Sequence, residues 1–121
     1  GGWYFKGNIS EFPESWFKKA KLSHQGFNEK LNCFGVKSGL SITEWKKKGW
    51  ITPEDPLGWF QWYCRYYLGR RSVDDDRQIG RWRAMRRHLA QIRKHCEPFD
   101  FSCRPKQRQA LLHWAYDTRN L

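Results

Sequence analysis

The sequence lacks any long apolar segment. No stretch of about 18 apolar residues occurs in its 121 residues, so it predicts no membrane-spanning helix. It shows no signal peptide either, but it begins with Gly1-Gly2 and no methionine. We therefore expect residues 1–2 to be a cloning scar or the chain to be an excised domain, which leaves a lost leader open. The length predicts a single domain over residues 1–121.

The sequence also lacks the motifs of common catalytic centres. It has no glycine-rich phosphate loop and no nucleophile elbow. The aspartates at 74–76 would point in different directions on a helix, and His88 and His95 have no evident carboxylate partner. We therefore expect no enzymatic activity and no cofactor.

Paired cysteine motifs are missing as well. The chain has four cysteines but no CxxC pair: Cys33, Cys64, Cys96 and Cys103. We expect all four to be reduced and mostly buried, as in an intracellular protein, nuclear if eukaryotic. Together with His95 and His113 they are zinc-ligand residue types, but their spacing matches no standard zinc pattern. We expect no metal; a structural zinc and a Cys96–Cys103 disulfide are the alternatives.

Acidic residues are scarce relative to basic ones. There are 12 Asp and Glu against 23 Lys and Arg, which gives a formal net charge of +11 and a pI of about 9.8. An excess of this size indicates a polyanionic partner such as nucleic acid. The alternative is that the charge only keeps an aromatic-rich protein soluble.

Aromatic residues, by contrast, are abundant. The chain contains 8 Trp, 8 Phe and 5 Tyr, although its mean hydropathy of −0.92 is that of a very polar protein. Each buried aromatic side chain removes roughly 150–250 Å² from water. We therefore predict a folded domain with an aromatic core, since disordered chains are poor in these residues.

Helix signals are clearest in the second part of the chain. A capping-box pattern at 41–44 opens a short helix over 42–48. A cap followed by proline opens a helix over 55–68, and a further proline opens a last helix over 105–116.

The longest helix is predicted between these last two. Ser72 and the aspartates at 74–76 place a cap and negative charge at its start, where the helix dipole favours both. Apolar residues then recur at intervals of three or four along about 22 residues, as on a helix with one buried face. The members of this apolar stripe are Ile79, Trp82, Met85, Leu89, Ile92 and Cys96.

These patterns predict a mainly α fold. We expect a compact helical domain with a three-helix C-terminal half, a helical core over 41–116 and a less regular N-terminal cover. The cover includes a short helix after Pro13 and, at 31–36, a strand or extended segment. No heptad repeat is present, so the oligomeric state stays open.

Three segments have distinctive amino-acid sequences. They are GWFQWYCRYYLGRR at 58–71, RQI followed by RW at 77–82, and RPKQRQALL at 104–112. Together they resemble a family of small, basic, Trp-rich proteins known only as uncharacterised. The resemblance covers most of the chain and implies no activity, cofactor or site residue.

The predicted binding residues are basic and centre on the longest helix. Arginine suits phosphate because its planar fork donates two parallel hydrogen bonds, and it also reads guanine in the major groove. No acid lies between Asp76 and Glu97 to balance this helix. The alternative is an ordinary solvated face. The residues of this arginine face, opposite the apolar stripe, are Arg83, Arg86, Arg87, Arg93 and Lys94.

Two further basic segments complete the predicted interface. Arg70 and Arg71 lie in a helix-turn-helix-like turn before a helix start, where backbone amides attract phosphate. The aspartates at 74–76 in the same turn would repel it. The third segment consists of Arg104, Lys106 and Arg108.

Two tryptophans near basic residues are candidates for stacking on unpaired bases. Trp50 follows the lysines at 46–48, and Trp59 precedes Arg65 on the same predicted helix. An aromatic cage for a methylated lysine is an alternative use of such residues. Packing in the core is the expected role of most of the eight tryptophans.

Together these features predict a nucleic-acid-binding module, with DNA favoured over RNA and no membrane partner. The arginine face and the basic turn would make the contacts. The main alternative is a protein-interaction module for an acidic or modified peptide. A small nucleic-acid-modifying enzyme is a further alternative.

Overall fold

Five α-helices carry the fold. In the computed structural model, which describes residues 2–121, they are α1 (Ile42–Lys47), α2 (Trp59–Tyr67), α3 (Asp75–Ala84), α4 (Arg86–His95) and α5 (Pro105–His113). Short 3-10 helices lie at Tyr4–Gly7, Glu14–Phe17, Glu29–Leu31 and Thr118–Asn120. No strand occurs within residues 2–121, so the predicted mainly α class is confirmed, and 31–36 forms turns instead of a strand.

The start of α1 forms as its capping pattern predicts. The Ser41 hydroxyl accepts a hydrogen bond from the backbone N–H of Glu44 at 3.3 Å. Gly49 follows the helix with a φ of 71°, a left-handed conformation that favours glycine. Ser41 therefore sets the beginning of α1, and Gly49 ends it.

Helix α2 begins at Trp59, later than the cap-and-proline pattern at 55–56 predicts. Gly58 precedes it with a φ of 100°, and a Cβ atom at Gly58 would lie 2.9 Å from the ring of Trp45 on α1. Glycine alone meets both the backbone conformation and this close approach. The contact at Gly58 therefore fixes α1 against the start of α2.

Asp55 is an internal ion-pair partner instead of a helix cap. Its side chain is 1% exposed and accepts hydrogen bonds from Arg65 at 3.0 Å and from Arg70 at 2.7 Å. Arg65 also pairs with Glu11 at 2.6 Å, and this hydrogen bond lowers the pKa of the Glu11 carboxyl. The ion pairs hold the N-terminal segment, the loop before α2 and the end of α2 together.

The longest predicted helix is in fact two helices, because it breaks at Met85 between α3 and α4. In a continuous helix the carbonyl of Trp82 would accept a hydrogen bond from Arg86. Here that carbonyl accepts from the N–H of Met85 at 3.2 Å and from the hydroxyl of Tyr116 at 2.9 Å. The prediction of one continuous helix is therefore wrong.

The apolar stripe nevertheless keeps its phase across the break. None of its six residues is exposed, and Ile92 is fully buried. Trp82 is half-buried, with its ring 6.4 Å from that of Tyr63 on α2 and its indole N–H donating to the carbonyl of Trp114 at 2.9 Å. Leu111 of α5 is fully buried as well, so the predicted core-facing side of α3 and α4 is confirmed.

The core is aromatic, and its indoles need acceptors. Buried Trp59 donates its indole N–H to the carbonyl of Gln78 at 3.3 Å. Buried Trp62 donates to the carboxylate of Asp75 at 2.8 Å. Both bonds join α2 to α3, so burial of the rings also sets the register of the two helices.

Cys96 and Cys103 form a disulfide, so the prediction of four reduced cysteines is wrong. The chain turns back after α4 and brings their Cα atoms to 5.8 Å, within the range that a disulfide requires. Cys33 and Cys64 are free. The cysteines therefore no longer favour an intracellular location.

Arg108 holds the segment between α4 and α5 from inside the fold. Its side chain is 2% exposed and donates to the carbonyls of Asp100 at 3.1 Å and Cys103 at 2.7 Å. It also donates to the hydroxyl of Thr118 at 3.1 Å. These acceptors would otherwise be unsatisfied inside the protein, so Arg108 does not belong to a phosphate-binding surface as predicted.

Hydrogen bonds attach the N-terminal cover to α5. The N–H of Phe34 donates to the side-chain oxygen of Gln109 at 3.1 Å, and the hydroxyl of Ser38 donates to the carbonyl of Lys106 at 2.8 Å. With the Glu11 ion pair on α2, these bonds place the cover across the faces of both helices.

We expect Asp55→Ala to lower the free energy of unfolding by about 3–5 kcal/mol, because it leaves two arginines without their buried partner. Urea unfolding measures this change. Asp117→Ala is the control, since Asp117 pairs with Arg119 at an exposed site and its loss should cost less than about 1 kcal/mol. Similar effects of the two substitutions would contradict a structural role for the Asp55 ion pairs.

We expect the unreduced protein to have a mass two hydrogens below that of the reduced chain. Reduction should lower the free energy of unfolding by about 2–3 kcal/mol, as expected for opening a ring of this size. Intact mass and thermal melts with and without reductant measure both effects. A count of four free thiols in the denatured, unreduced chain would show that the bond does not form.

Candidate nucleic-acid interface

Four basic residues share the outward side of α4. Arg86 and Arg93 are seven residues apart, as are Arg87 and Lys94, so each pair lies along one line of the helix, about 10.5 Å long. All four side chains are exposed. Ala90 lies between the two lines, and its small side chain leaves room for another surface to approach. We call these four basic residues the α4 basic surface.

No acidic side chain neutralises the α4 basic surface. Within residues 2–121 the arginines in ion pairs are Arg65, Arg70, Arg77 and Arg119, all outside α4. Arg87 donates one hydrogen bond, to the carbonyl of the preceding turn at 3.3 Å. The charges of the surface are therefore available to an external anion.

Further predicted residues lie beside this surface. Arg83 is exposed at the end of α3. Arg104 is exposed and donates to Gln107 at 3.2 Å, and Gln107 donates to Gln91 of α4 at 2.6 Å, which places the start of α5 against α4. Lys106 is exposed on the same turn of α5. These residues extend the positive charge on both sides of α4.

The basic turn between α2 and α3 offers one arginine without an acidic partner among residues 2–121, and that arginine, Arg71, donates to the carbonyls of Tyr66 and Arg70. Arg70 points inward, to the buried carboxylate of Asp55. Arg71 is exposed, with its guanidinium 3.9 Å from the ring centre of Tyr66. The predicted phosphate contact of this turn is thereby reduced to Arg71.

The aspartates of that turn are engaged in local bonds. Asp74 pairs with Arg77 at 2.6 Å, and this hydrogen bond lowers the pKa of Asp74. Burial acts to raise the pKa of Asp75, but hydrogen bonds from Ser72 and Trp62 outweigh burial and lower it. Both carboxylates stay ionised, so the start of α3 is a poorer phosphate site than α4.

A cleft of about 700 Å³ lies between the N-terminal segment, α1, the start of α2 and α5. Trp59 forms part of its wall but is only 6% exposed, so its predicted role in base stacking is wrong. Trp50 is 37% exposed at the same cleft. The remaining aromatic side chains that line the cleft are Trp3, Tyr4, Phe27, Trp45, Phe60 and Trp114.

Arg81 of α3 brings a positive charge into this aromatic cleft. Its guanidinium is half-buried and lies 5.6 Å from the ring centre of Trp50 and 5.2 Å from that of Trp114. One of its N–H groups donates to Gln78 at 3.0 Å, and no acid in the described part of the chain pairs with it. Burial lowers the pKa of Arg81, and the charge of Arg77 adds to this effect.

The indole N–H groups distinguish core tryptophans from those of the cleft. Each of the core tryptophans described above donates to an acceptor inside the fold. Trp45, Trp50 and Trp114 have no such acceptor among residues 2–121, although all three line the cleft. The tryptophans of the cleft are therefore not held by indole hydrogen bonds as those of the core are.

The remaining titratable groups do not form an evident catalytic set. Burial raises the pKa of the Cys64 thiol to about 12, which removes it as a nucleophile near neutral pH. Burial and the charge of Arg87 lower the pKa of His88, whose Nδ1 lies 2.9 Å from the amide nitrogen of Gln107. In the described chain no three His, Cys, Asp or Glu side chains are grouped as a metal ion requires.

Sequence reasoning missed Arg81 and the shape of the cleft. Trp50, with its neighbouring lysines, did point toward this region. Arg81 gave no signal of its own, because its aromatic partners Trp50 and Trp114 lie on distant segments on either side of it in the sequence.

Comparison with known proteins adds no relative. No protein-family model, no curated protein and no solved structure matches this chain. None of the helices within residues 2–121 has the length and apolar character needed to cross a membrane. The function therefore has to be argued from the geometry of the α4 basic surface and the aromatic cleft.

We expect iodoacetamide to modify one cysteine of the unreduced native protein at about pH 8. Cys33 is exposed, whereas Cys64 is buried with a pKa raised to about 12. Mass spectrometry of tryptic peptides locates the adduct, and alkylation in denaturant should add a second adduct at Cys64. Modification of Cys64 at the same rate as Cys33 in the native protein would contradict its burial.

Proposed function

We propose that this chain is a nucleic-acid-binding module whose partner is duplex DNA, contacted through the α4 basic surface. The observation that carries the proposal is the set of four exposed cations on one side of α4 with no acidic partner. Phosphate binding by such residues releases counterions and supplies most of the affinity of DNA-binding proteins. The net charge of +11 favours the same class of partner.

The dimensions of α4 suit the major groove of B-DNA. That groove is about 12 Å wide and admits one α-helix. The two lines of cations lie on either side of Ala90, so the helix would approach the base edges there while its arginines reach the phosphates of both strands. Arg83 and Arg104 would add contacts to the backbone beside the groove.

The same fit favours DNA over RNA. In A-form RNA the major groove is deep and narrow, and side chains on a helix do not reach its bases. A single-stranded partner would not bring two rows of phosphates to the two lines of cations. We therefore expect duplex DNA to bind more tightly than duplex RNA of the same sequence.

A methylated-lysine reader is less well supported. An aromatic cage stabilises a cation between ring faces. In this chain the space between Trp50 and Trp114 already faces the guanidinium of Arg81, which would repel a second cation. The alternative of an acidic peptide on the α4 basic surface is tested by the experiment below.

We expect Arg87→Gln combined with Lys94→Gln to weaken DNA binding and to reduce the salt dependence of the affinity. Each lost phosphate contact should lower the slope of log affinity against log salt by about 0.9. Titration of a short duplex between about 50 mM and 200 mM salt measures the slope. The melting temperature should barely change, since both side chains are exposed.

Lys18→Gln combined with Lys19→Gln is the matched control, because it removes the same charge from exposed residues of the N-terminal segment. An equal loss of slope in both double variants would mean that net charge alone drives binding. An acidic peptide that binds more tightly than the duplex, and is lost with the α4 variant, would replace DNA as the partner.

A further inference from the structure

The aromatic cleft has the size and lining of a ligand site. Its volume of about 700 Å³ lies within the usual range of small-ligand pockets, roughly 300–1,000 Å³. Such pockets are mainly apolar and contain a few polar groups that orient the ligand. Here that polar group is the guanidinium of Arg81, since the buried amide of Gln109 is already bonded to Phe34 and His113.

The charge of the cleft selects an anionic ligand. None of the described residues that line it is an aspartate or a glutamate. The guanidinium of Arg81 lies over the rings of Trp50 and Trp114, and its one side-chain hydrogen bond among residues 2–121 goes to Gln78. Lys48 adds a second charge at the rim, with its amine 5.3 Å from the ring centre of Trp50.

The rings of the cleft select a planar partner. Trp50 is partly exposed, and Trp45 lines the cleft from α1. A base stacks on such rings whatever its identity, because every base has a π face. Trp45 and Trp50 therefore give the cleft aromatic surface on which a base could stack.

We propose that the cleft accepts one unpaired nucleotide, whose base stacks on Trp50 and whose phosphate pairs with Arg81. The nucleotide belongs to the strand that the α4 basic surface binds, so this inference rests on the proposed function. Lys48, beside Trp50, would contact a neighbouring phosphate. The ligand class is therefore a nucleotide outside a base pair, for which the cost of leaving the stack is smallest.

The test compares two duplexes that differ by one extra, unpaired nucleotide at the centre of one strand. The wild-type protein should bind the duplex with the unpaired nucleotide about 5- to 150-fold more tightly, the range that stacking of one base on an aromatic residue provides. The readout is the ratio of the two affinities. Trp50→Ala and Arg81→Gln should each bring that ratio close to one.

Matched variants separate the cleft from the rest of the surface. Trp16 is 37% exposed, as Trp50 is, but lies outside the cleft, so Trp16→Ala should keep the ratio. Arg77→Gln removes a charge from the same helix as Arg81 and should likewise leave the ratio of the two affinities unchanged. Thermal melts check that each variant folds. If Trp50→Ala melts early, Trp50→Phe, which retains a ring, should preserve the ratio while Arg81→Gln removes it.

Free deoxyadenosine monophosphate gives a readout that does not depend on duplex binding. It should quench the tryptophan fluorescence of the wild-type protein and fail to quench that of Arg81→Gln. Quenching by the nucleotide without any duplex binding would overturn the proposed function but would still support nucleotide recognition by the cleft. Equal affinity for both duplexes together with no quenching would overturn the cleft site alone. Tighter binding of indole-3-acetate than of the nucleotide would assign the cleft to a small aromatic acid instead.

Discussion

The buried carboxylate of Asp55 is the constraint on which the N-terminal half of the protein depends. A carboxylate inside a protein is costly unless it is paired, and here Arg65 and Arg70 supply the partners. Arg65 lies in the last turn of α2 and Arg70 in the turn that follows it, so their shared partner fixes the end of the helix and the turn together. Because Arg65 also holds Glu11, the N-terminal cover is attached at the same point.

Arginines that lie close together in the sequence differ in burial and in their partners. Arg70 and Arg71 are neighbours, yet the first is bound to a buried acid and the second is exposed. Arg104 and Arg108 were predicted to share one surface, yet Arg108 donates to four backbone and side-chain acceptors of the fold. In both cases the acceptors come from other segments, so residue type and spacing could not distinguish the members of each pair. On α4, by contrast, the phase of the helix alone decides exposure, and the predicted exposure of its four cations holds.

The parts of the fold that the sequence predicts are those with local causes. The capping box of α1 and the apolar stripe of α3 and α4 depend on residues three or four positions apart, and both are present. The break at Met85 depends on Tyr116, which is 34 residues from the carbonyl that it binds. The Cys96–Cys103 disulfide spans only 7 residues, but it depends on how the loop after α4 turns back, which no spacing rule indicates. The aromatic cleft was missed because separate segments of the chain build it.

A core rich in tryptophan has to satisfy indole N–H groups as well as bury rings. Trp59, Trp62 and Trp82 meet this demand with acceptors on neighbouring helices, and the resulting bonds fix how α2, α3 and the C-terminal segment sit together. Trp50 and Trp114 differ from these core tryptophans. Their indole N–H groups have no acceptor among residues 2–121, and Arg81, which has no acidic partner there, lies against both rings. Packing alone would favour an aliphatic side chain in place of that arginine. A charged aromatic cleft is instead suited to a planar anion, which supports the nucleotide site proposed for the cleft beside the DNA contact proposed for the α4 basic surface.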